Sequence, residues 1–584
     1  MFKILKSLRK REILFIFISA ALIVTQVWLE LKMPDYMSEI TVLVQTEGSK
    51  MSEILKNGGY MLLCAFSSFL TSFGVGYLLA QVAASFSLLV RKRLFTKIEG
   101  LSTEEIKKFS VSSLITRTTN DITQIVMFLS MGVNLLIKAP VTAIWAVTKI
   151  MNKNMTWSAV TGLAVLILLG TVSIVMVFVV PRFKIIQKLT DKLNGVTREN
   201  LLGIRVVRAF NAEKYQEDKF SKANDDLTNT QLFVQKLFAT FSPIMYLVMY
   251  FLSLSIYFIG AKLIDAAMLT EKITLFGDMI VFSSYAVQVI MSFLMLAFIF
   301  MILPRANVSA NRINEVLESE TKIKNGKIKE GKEEGTVVFE NVSFKYPDAE
   351  EYLLKDISFE IKKGETVAFV GSTGSGKSTL INLIPRFYDA TSGKILVDGV
   401  NVKDYDLEHL YNKIGYVPQK AVMFSESVND NVAFGKSDKK INEKEVKDAI
   451  KVAEAKEFVE KMDNKYDSHI SSGGTNISGG QKQRLAIARA IARDPEIYIF
   501  DDSFSALDYK TDAKLRKNLK KKAKDATVII VAQRIGTVLN ADKIVVLDSG
   551  ECVGIGTHKE LLKKCNVYKE IALSQLSQEE LENA

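Results

Sequence analysis

Six largely apolar stretches, each near the length of a bilayer crossing, fall within the first 305 positions of this 584-residue chain. A helix needs about 20 such residues to cross the hydrocarbon of a membrane. A backbone in lipid must also satisfy its own hydrogen bonds, which a helix does. The segments 13–33, 60–88, 124–150, 157–181, 238–263 and 274–303 are therefore expected to be transmembrane helices. The rest of the chain has another grain. A charged, glycine-containing stretch covers 318–335, and beyond it short apolar runs alternate with helical patterns. The expected architecture is an α-helical transmembrane domain over 1–310, a linker over 311–335, and an α/β domain with a largely parallel sheet over 336–584.

The charge follows from this layout. Lys and Arg total 75 against 64 acids, a net charge of +11. Loop 91–121 carries Arg91, Lys92, Arg93, Lys97, Lys107, Lys108 and Arg117, and loop 182–237 is long and charged. Basic loops stay on the cytoplasmic side, which places both termini there and the protein in the plasma membrane. Nucleic acid is not needed to explain the charge and is excluded as a partner; the lipid bilayer is the partner it implies. The three cysteines, Cys64, Cys552 and Cys565, lack metal-binding spacing. Ser102-Thr-Glu-Glu105 reads as a capping box, and residues 200–210 carry apolar residues at helical spacing, so the cytoplasmic loops are expected to be helical extensions of the spans. Residues 34–59 are expected to be a short connection. Lys138 falls inside a span, and we read it as snorkelling to an interface; the alternative is a polar cavity or a pairing with an acid in a partner. The Tyr, Phe and Met content of the last two spans suits an adaptable pocket for an amphipathic substrate.

The second half holds the chemistry. Gly371-Ser-Thr-Gly-Ser-Gly-Lys-Ser378 follows an apolar strand and opens a helix, the context that a phosphate-cradling loop needs. Gly371, Ser372, Thr373, Gly374, Ser375 and Gly376 would wrap backbone N–H groups around phosphate oxygens. Lys377 would reach the outer phosphates, and Ser378, beside Thr379, would hold Mg²⁺. Ile497–Asp501 is an apolar strand ending in an acid, suited to the same cation. Ile477-Ser478-Gly479-Gly480-Gln481 opens another helix. Tyr346, after a strand, could stack on adenine, and Gln419, after another, could ligate Mg²⁺ or hold water.

Together these motifs resemble those of ATP-binding-cassette (ABC) exporter half-transporters, along nearly the whole chain. The resemblance implies ATP and Mg²⁺ as cofactors, with Tyr346 as the adenine-stacking residue and Gln419 as the Q-loop. It makes 477–481 the signature that caps ATP bound to a second cassette, Asp501 the Walker B acid, and Asp508 part of the D-loop. The implied activity is an ATPase that drives export.

Two positions depart from the family. The glutamate expected after Asp501 is Asp502, and the expected switch histidine is Gln533. Aspartate reaches about 1 Å less far, and misplacement on that scale costs on the order of 10²-fold in rate. Glutamine cannot carry a proton as histidine does. With Gln419, these form the catalytic set. Binding groups are kept and catalytic groups altered, so the expectation is a heterodimer in which a second half-transporter supplies Glu and His. A sensor subunit that binds nucleotide without moving substrate, and a slow homodimeric exporter, are the alternatives.

Overall fold

A computed structural model describes residues 1–46, 48–151, 155–435 and 441–576. The chain divides into two compact units, Met1–Gly100 with Phe109–Ser319, and Leu101–Lys108 with Glu320–Ala584.

The first unit is helical, and among the described residues six helices are long and apolar enough to cross a membrane: Lys10–Gln45, Met51–Glu99, Val111–Met151, Met155–Leu202, Glu213–Ala266 and Glu271–Leu296. Its core gathers Val27, Leu79, Trp157, Phe282 and Tyr285. Several elements outrun the expected limits. The first span helix continues through Pro34 to Gln45, so most of the 34–46 stretch is helix rather than connection. Proline removes one helix donor, and here the break lies beside a buried partner: Tyr285 Oη donates to Leu31 O at 2.9 Å. The last helix runs on to Glu318, past residue 310. The fourth and fifth span helices extend well beyond bilayer length and are joined by the short helix Ile204–Ala209, as the helical spacing of 200–210 predicts. Lys138 pairs with an acid of its own chain. Its Nζ binds Glu30 Oε1 at 2.9 Å, across to the first span.

The second unit carries a six-stranded sheet in the order Glu551–Gly556, Lys543–Asp548, Thr366–Gly371, Thr527–Val531, Ile497–Asp501, Ile414–Val417. All neighbouring pairs are parallel except the first. The inner strands are buried throughout and rich in Val, Ile and Phe, as a sheet covered on both faces requires. A second, antiparallel sheet pairs Val337–Phe344 with Leu354–Ile361 and Ser392–Val397. Residues 101–108 belong to this unit. Half of the Ser102 capping pattern forms: Ser102 N donates to Glu105 Oε2 at 2.9 Å, and Ser102 Oγ donates to that same oxygen, while Lys322 pairs with Glu104.

Candidate functional site

Parallel register builds the site. Val531 lies opposite both Phe369 and Asp501, so three strands end together at one sheet edge. Ligand sites of open α/β sheets form at that carboxyl edge. Leaving it are the glycine-rich loop, Asp502 and the segment bearing Gln533.

The loop after Thr366–Gly371 needs its glycines. Gly376 precedes the helix Lys377–Asn382 at φ +96°, in the left-handed region that side chains disfavour. A Cβ on Gly371 would come within 2.1 Å of Leu547 O. Lys377 is nearly buried and arches back, its Nζ donating to Gly371 O at 2.9 Å and Ser372 O at 2.7 Å. Burial pushes its ammonium below the usual lysine range, against the pull of Asp502 and Asp501. Ser378 Oγ donates to Asp501 Oδ1 at 2.7 Å. A hydroxyl and a carboxylate thus converge beside a loop of backbone N–H groups, the donor set that a phosphate-bound Mg²⁺ takes. Among the described residues no group of three His, Cys or acidic side chains forms a separate metal site. The residues present therefore fit a nucleotide with its cation, held by this loop, Ser378 and Asp501.

Asp502 is nearly buried, with its backbone at φ +48°. Aspartate tolerates that region better than most residues. Its Oδ2 accepts Gln533 Nε2 at 2.8 Å and Gln419 Nε2 at 3.3 Å. Burial raises the Asp502 carboxyl from its ordinary range, while Gln419 and Ser505 pull it down. Asp501 is likewise raised, first by burial, with Ser378 opposing. One residue here carried no signal in the sequence: Gln575. It donates from Nε2 to Gln533 O at 2.7 Å and accepts Ile535 N at 2.8 Å, clamping the backbone that aims Gln533. A lone glutamine after the last helix has no motif to mark it.

Tyr346 packs edge-on against Phe344 and Tyr388, and its hydroxyl lies 3.0 Å from Thr379 Oγ1. Lys107 Nζ lies 5.4 Å from both the Tyr346 and Tyr388 ring centres. The helix Gly479–Ala492 is capped by Ser478, whose N–H binds Gln481 Oε1 at 2.8 Å while its Oγ accepts Gln481 N at 3.3 Å. Asp508 caps Tyr509–Lys522 through Thr511 N at 2.9 Å, and that bond holds its carboxyl below the usual range. Neither Ser478 nor Asp508 is hydrogen-bonded to the Lys377 side chain, which keeps its bonds within its own loop.

Comparison with known proteins names the class. Residues 12–293 match the ABC transporter transmembrane region and residues 354–505 the ABC transporter ATP-binding family. An uncharacterized ABC transporter ATP-binding protein of Mycobacterium tuberculosis is 38% identical over 528 residues, 89% of each chain. An ATP-dependent lipid A-core flippase of Pseudomonas aeruginosa is 32% identical over 512 residues, 87% of this chain and 83% of that one. A bacterial Atm1-family ABC exporter with ATP bound shares the fold at a TM-score of 0.80 and 23% identity, covering 98% of this chain and all of that one. The chain belongs to the ABC transporter family. More narrowly, it is a half-transporter with the exporter fold, a membrane domain and an ATP-binding cassette on one polypeptide.

Proposed function

We propose that this chain exports an amphipathic small molecule across the plasma membrane as one half of a heterodimer, and that its own nucleotide site turns over slowly. The observation that carries this reading is the Asp502 carboxylate, tied to Gln533 and Gln419 through one oxygen. Basicity is not what Asp502 lacks, because burial raises its carboxyl. It lacks reach, by about 1 Å relative to glutamate. The neighbour that should be a histidine is an amide, which can orient a water but cannot accept its proton.

The binding groups support nucleotide capture. ATP with Mg²⁺ supplies the phosphoryl group and the charge that offsets its departure. Tyr346 offers a ring for the base, and residues 371–376 offer backbone N–H groups. Lys377 would exchange its carbonyl partners for phosphate oxygens, and Ser378, Asp501 and Gln419 would hold the cation. Ser478, Gly479, Gly480 and Gln481, at a helix N-terminus, would complete the site of the partner cassette, with Asp508 nearby. The basic loops support cytoplasmic termini. A relative named for flipping a lipid supports an amphipathic cargo.

The test is ATPase activity of the purified chain alone and with a co-expressed half-transporter that carries the consensus Glu and His. Activity of the pair with little from the chain alone is the expected result. A brisk homodimer would overturn the asymmetric reading and leave a homodimeric exporter.

A further inference from the structure

The membrane domain holds charges that the nucleotide chemistry does not use. Lys138 pairs with Glu30 at 2.9 Å, and Lys149 with Asp35 at 2.7 Å. Gln26 Nε2 donates to Glu30 Oε1 at 2.9 Å, and Tyr285 Oη donates to Asp35 Oδ1 at 2.5 Å. Lys32 stands 4.0 Å from Asp35. Both acids lie on the first span helix with Lys32, while Lys138 and Lys149 reach them from the third. Each of these helices runs through a proline, and Pro34 cannot donate to the Glu30 carbonyl, nor Pro140 to that of Leu136. A π-helical turn at Phe128–Gly132 lies just before, a distortion that often marks functional sites.

We infer that this cluster is a headgroup site for zwitterionic amphiphiles, the ammonium of the ligand taking Glu30 and its anionic group taking Lys138. Three observations carry it. First, the charges are half-buried and not sealed, with side chains 18% exposed at Lys138 and 26% at Glu30. Lipid cannot solvate such groups, so they pair with one another, and their residual exposure leaves the pair open to a polar group from outside. Second, polar capacity on the same helix face is unspent. Asn134, Lys138 and Thr142 recur every fourth residue, and among the described residues nothing hydrogen-bonds Asn134 Oδ1 or Thr142 Oγ1, though Thr142 is only 6% exposed. Third, charge balance selects the class. A purely anionic headgroup on Lys138 would strand the Glu30 carboxylate in a low-dielectric site, and a purely cationic one on Glu30 would strand Lys138. A headgroup with both charges replaces each partner by another. A permanent clamp between helices would be served as well by apolar packing, without the desolvation cost.

The inference rests on the export reading for its direction of transport only, and binding can be read without ATP. All three tryptophans, Trp28, Trp145 and Trp157, lie in this domain. The full chain, with any co-purified partner, is placed in phosphatidylglycerol nanodiscs. Its tryptophan fluorescence is titrated with decylphosphocholine, decyl phosphate, decyltrimethylammonium and decyl maltoside below micelle formation. The expected result is a preference of about tenfold for the phosphocholine, lost in Glu30→Gln/Lys138→Met, which removes both charges and strands neither. Thermal unfolding of that variant serves as the check on folding, and Thr142→Val, which leaves both charges in place, is expected to weaken phosphocholine binding alone. Equal affinity for all four headgroups overturns the site, as does a preference that survives both variants. Stimulation of ATPase by decyl maltoside with no headgroup preference would overturn the site and leave export standing. Phosphocholine preference with no amphiphile stimulating the ATPase of the chain co-expressed with a consensus half-transporter would do the reverse.

Discussion

The two sides of the nucleotide site differ in what they ask of the chain. In the proposed site, the phosphate side is built from groups that would only have to hold: glycines in left-handed backbone, Lys377, and Ser378 bonded to Asp501. The water side must place an oxygen and move a proton, and there Asp502 meets two amides. Holding tolerates a shorter side chain on the opposite wall, whereas proton transfer does not. On the proposed reading, a cassette can therefore lose turnover and keep nucleotide binding, provided its partner supplies the missing groups.

The sharpest way to break this contrast is Lys377→Ala. Removing a charged phosphate donor should weaken nucleotide binding on the order of 10²-fold or more, read with a fluorescent ATP analogue. Unchanged affinity would mean that the loop is not the holding side. Next is Asp502→Glu with Gln533→His. Restored reach and a proton acceptor should raise single-turnover hydrolysis at this chain's own site on the order of 10²-fold, with affinity little altered. No gain would put the defect elsewhere. A smaller effect is expected from Ser478→Ala, which costs the signature helix its cap, about 1 kcal/mol. Turnover of the pair should fall while binding at this chain's own loop stays. A fall in own-site affinity would mean that the signature serves its own loop.

The smallest effect concerns pH. Burial raises Asp501 and Asp502 above the usual carboxylate range, so the folded cassette gives up those protons less readily than the unfolded chain. Above the raised values both states are charged and the fold bears the whole burial penalty. As pH falls through them the folded state takes up protons first, and stability rises. Without nucleotide, the melting temperature should climb by a few degrees toward mildly acidic pH, and Asp502→Asn should flatten the climb. An equal slope in the variant would remove Asp502 from the account.

The sequence made the holding side readable because each of its parts is contiguous. Glycines beside Lys377, an apolar strand ending in Asp501, and Ser478 three residues before Gln481 all announce their geometry locally. The substitutions at 502 and 533 were readable too, but only against a family pattern. The membrane charges were not. Glu30 and Lys138 are 108 residues apart, and no periodicity says which acid a lysine in a span will find. The helix beyond Pro34 is hidden for a related reason: the buried Tyr285 hydroxyl that caps the Leu31 carbonyl comes from the far end of the domain.

The Gln575 clamp bears on the order in which the cassette is made. Every nucleotide motif, from Tyr346 to Gln533, leaves the ribosome before Gln575, and domains gain structure as their chains emerge. The glycine-rich loop can thus form while the segment aiming Gln533 is still untethered. The same dependence reaches the bench: a tag or truncation placed close behind Gln575 sits far along the chain from any motif, yet pulls directly on the backbone beside Asp502.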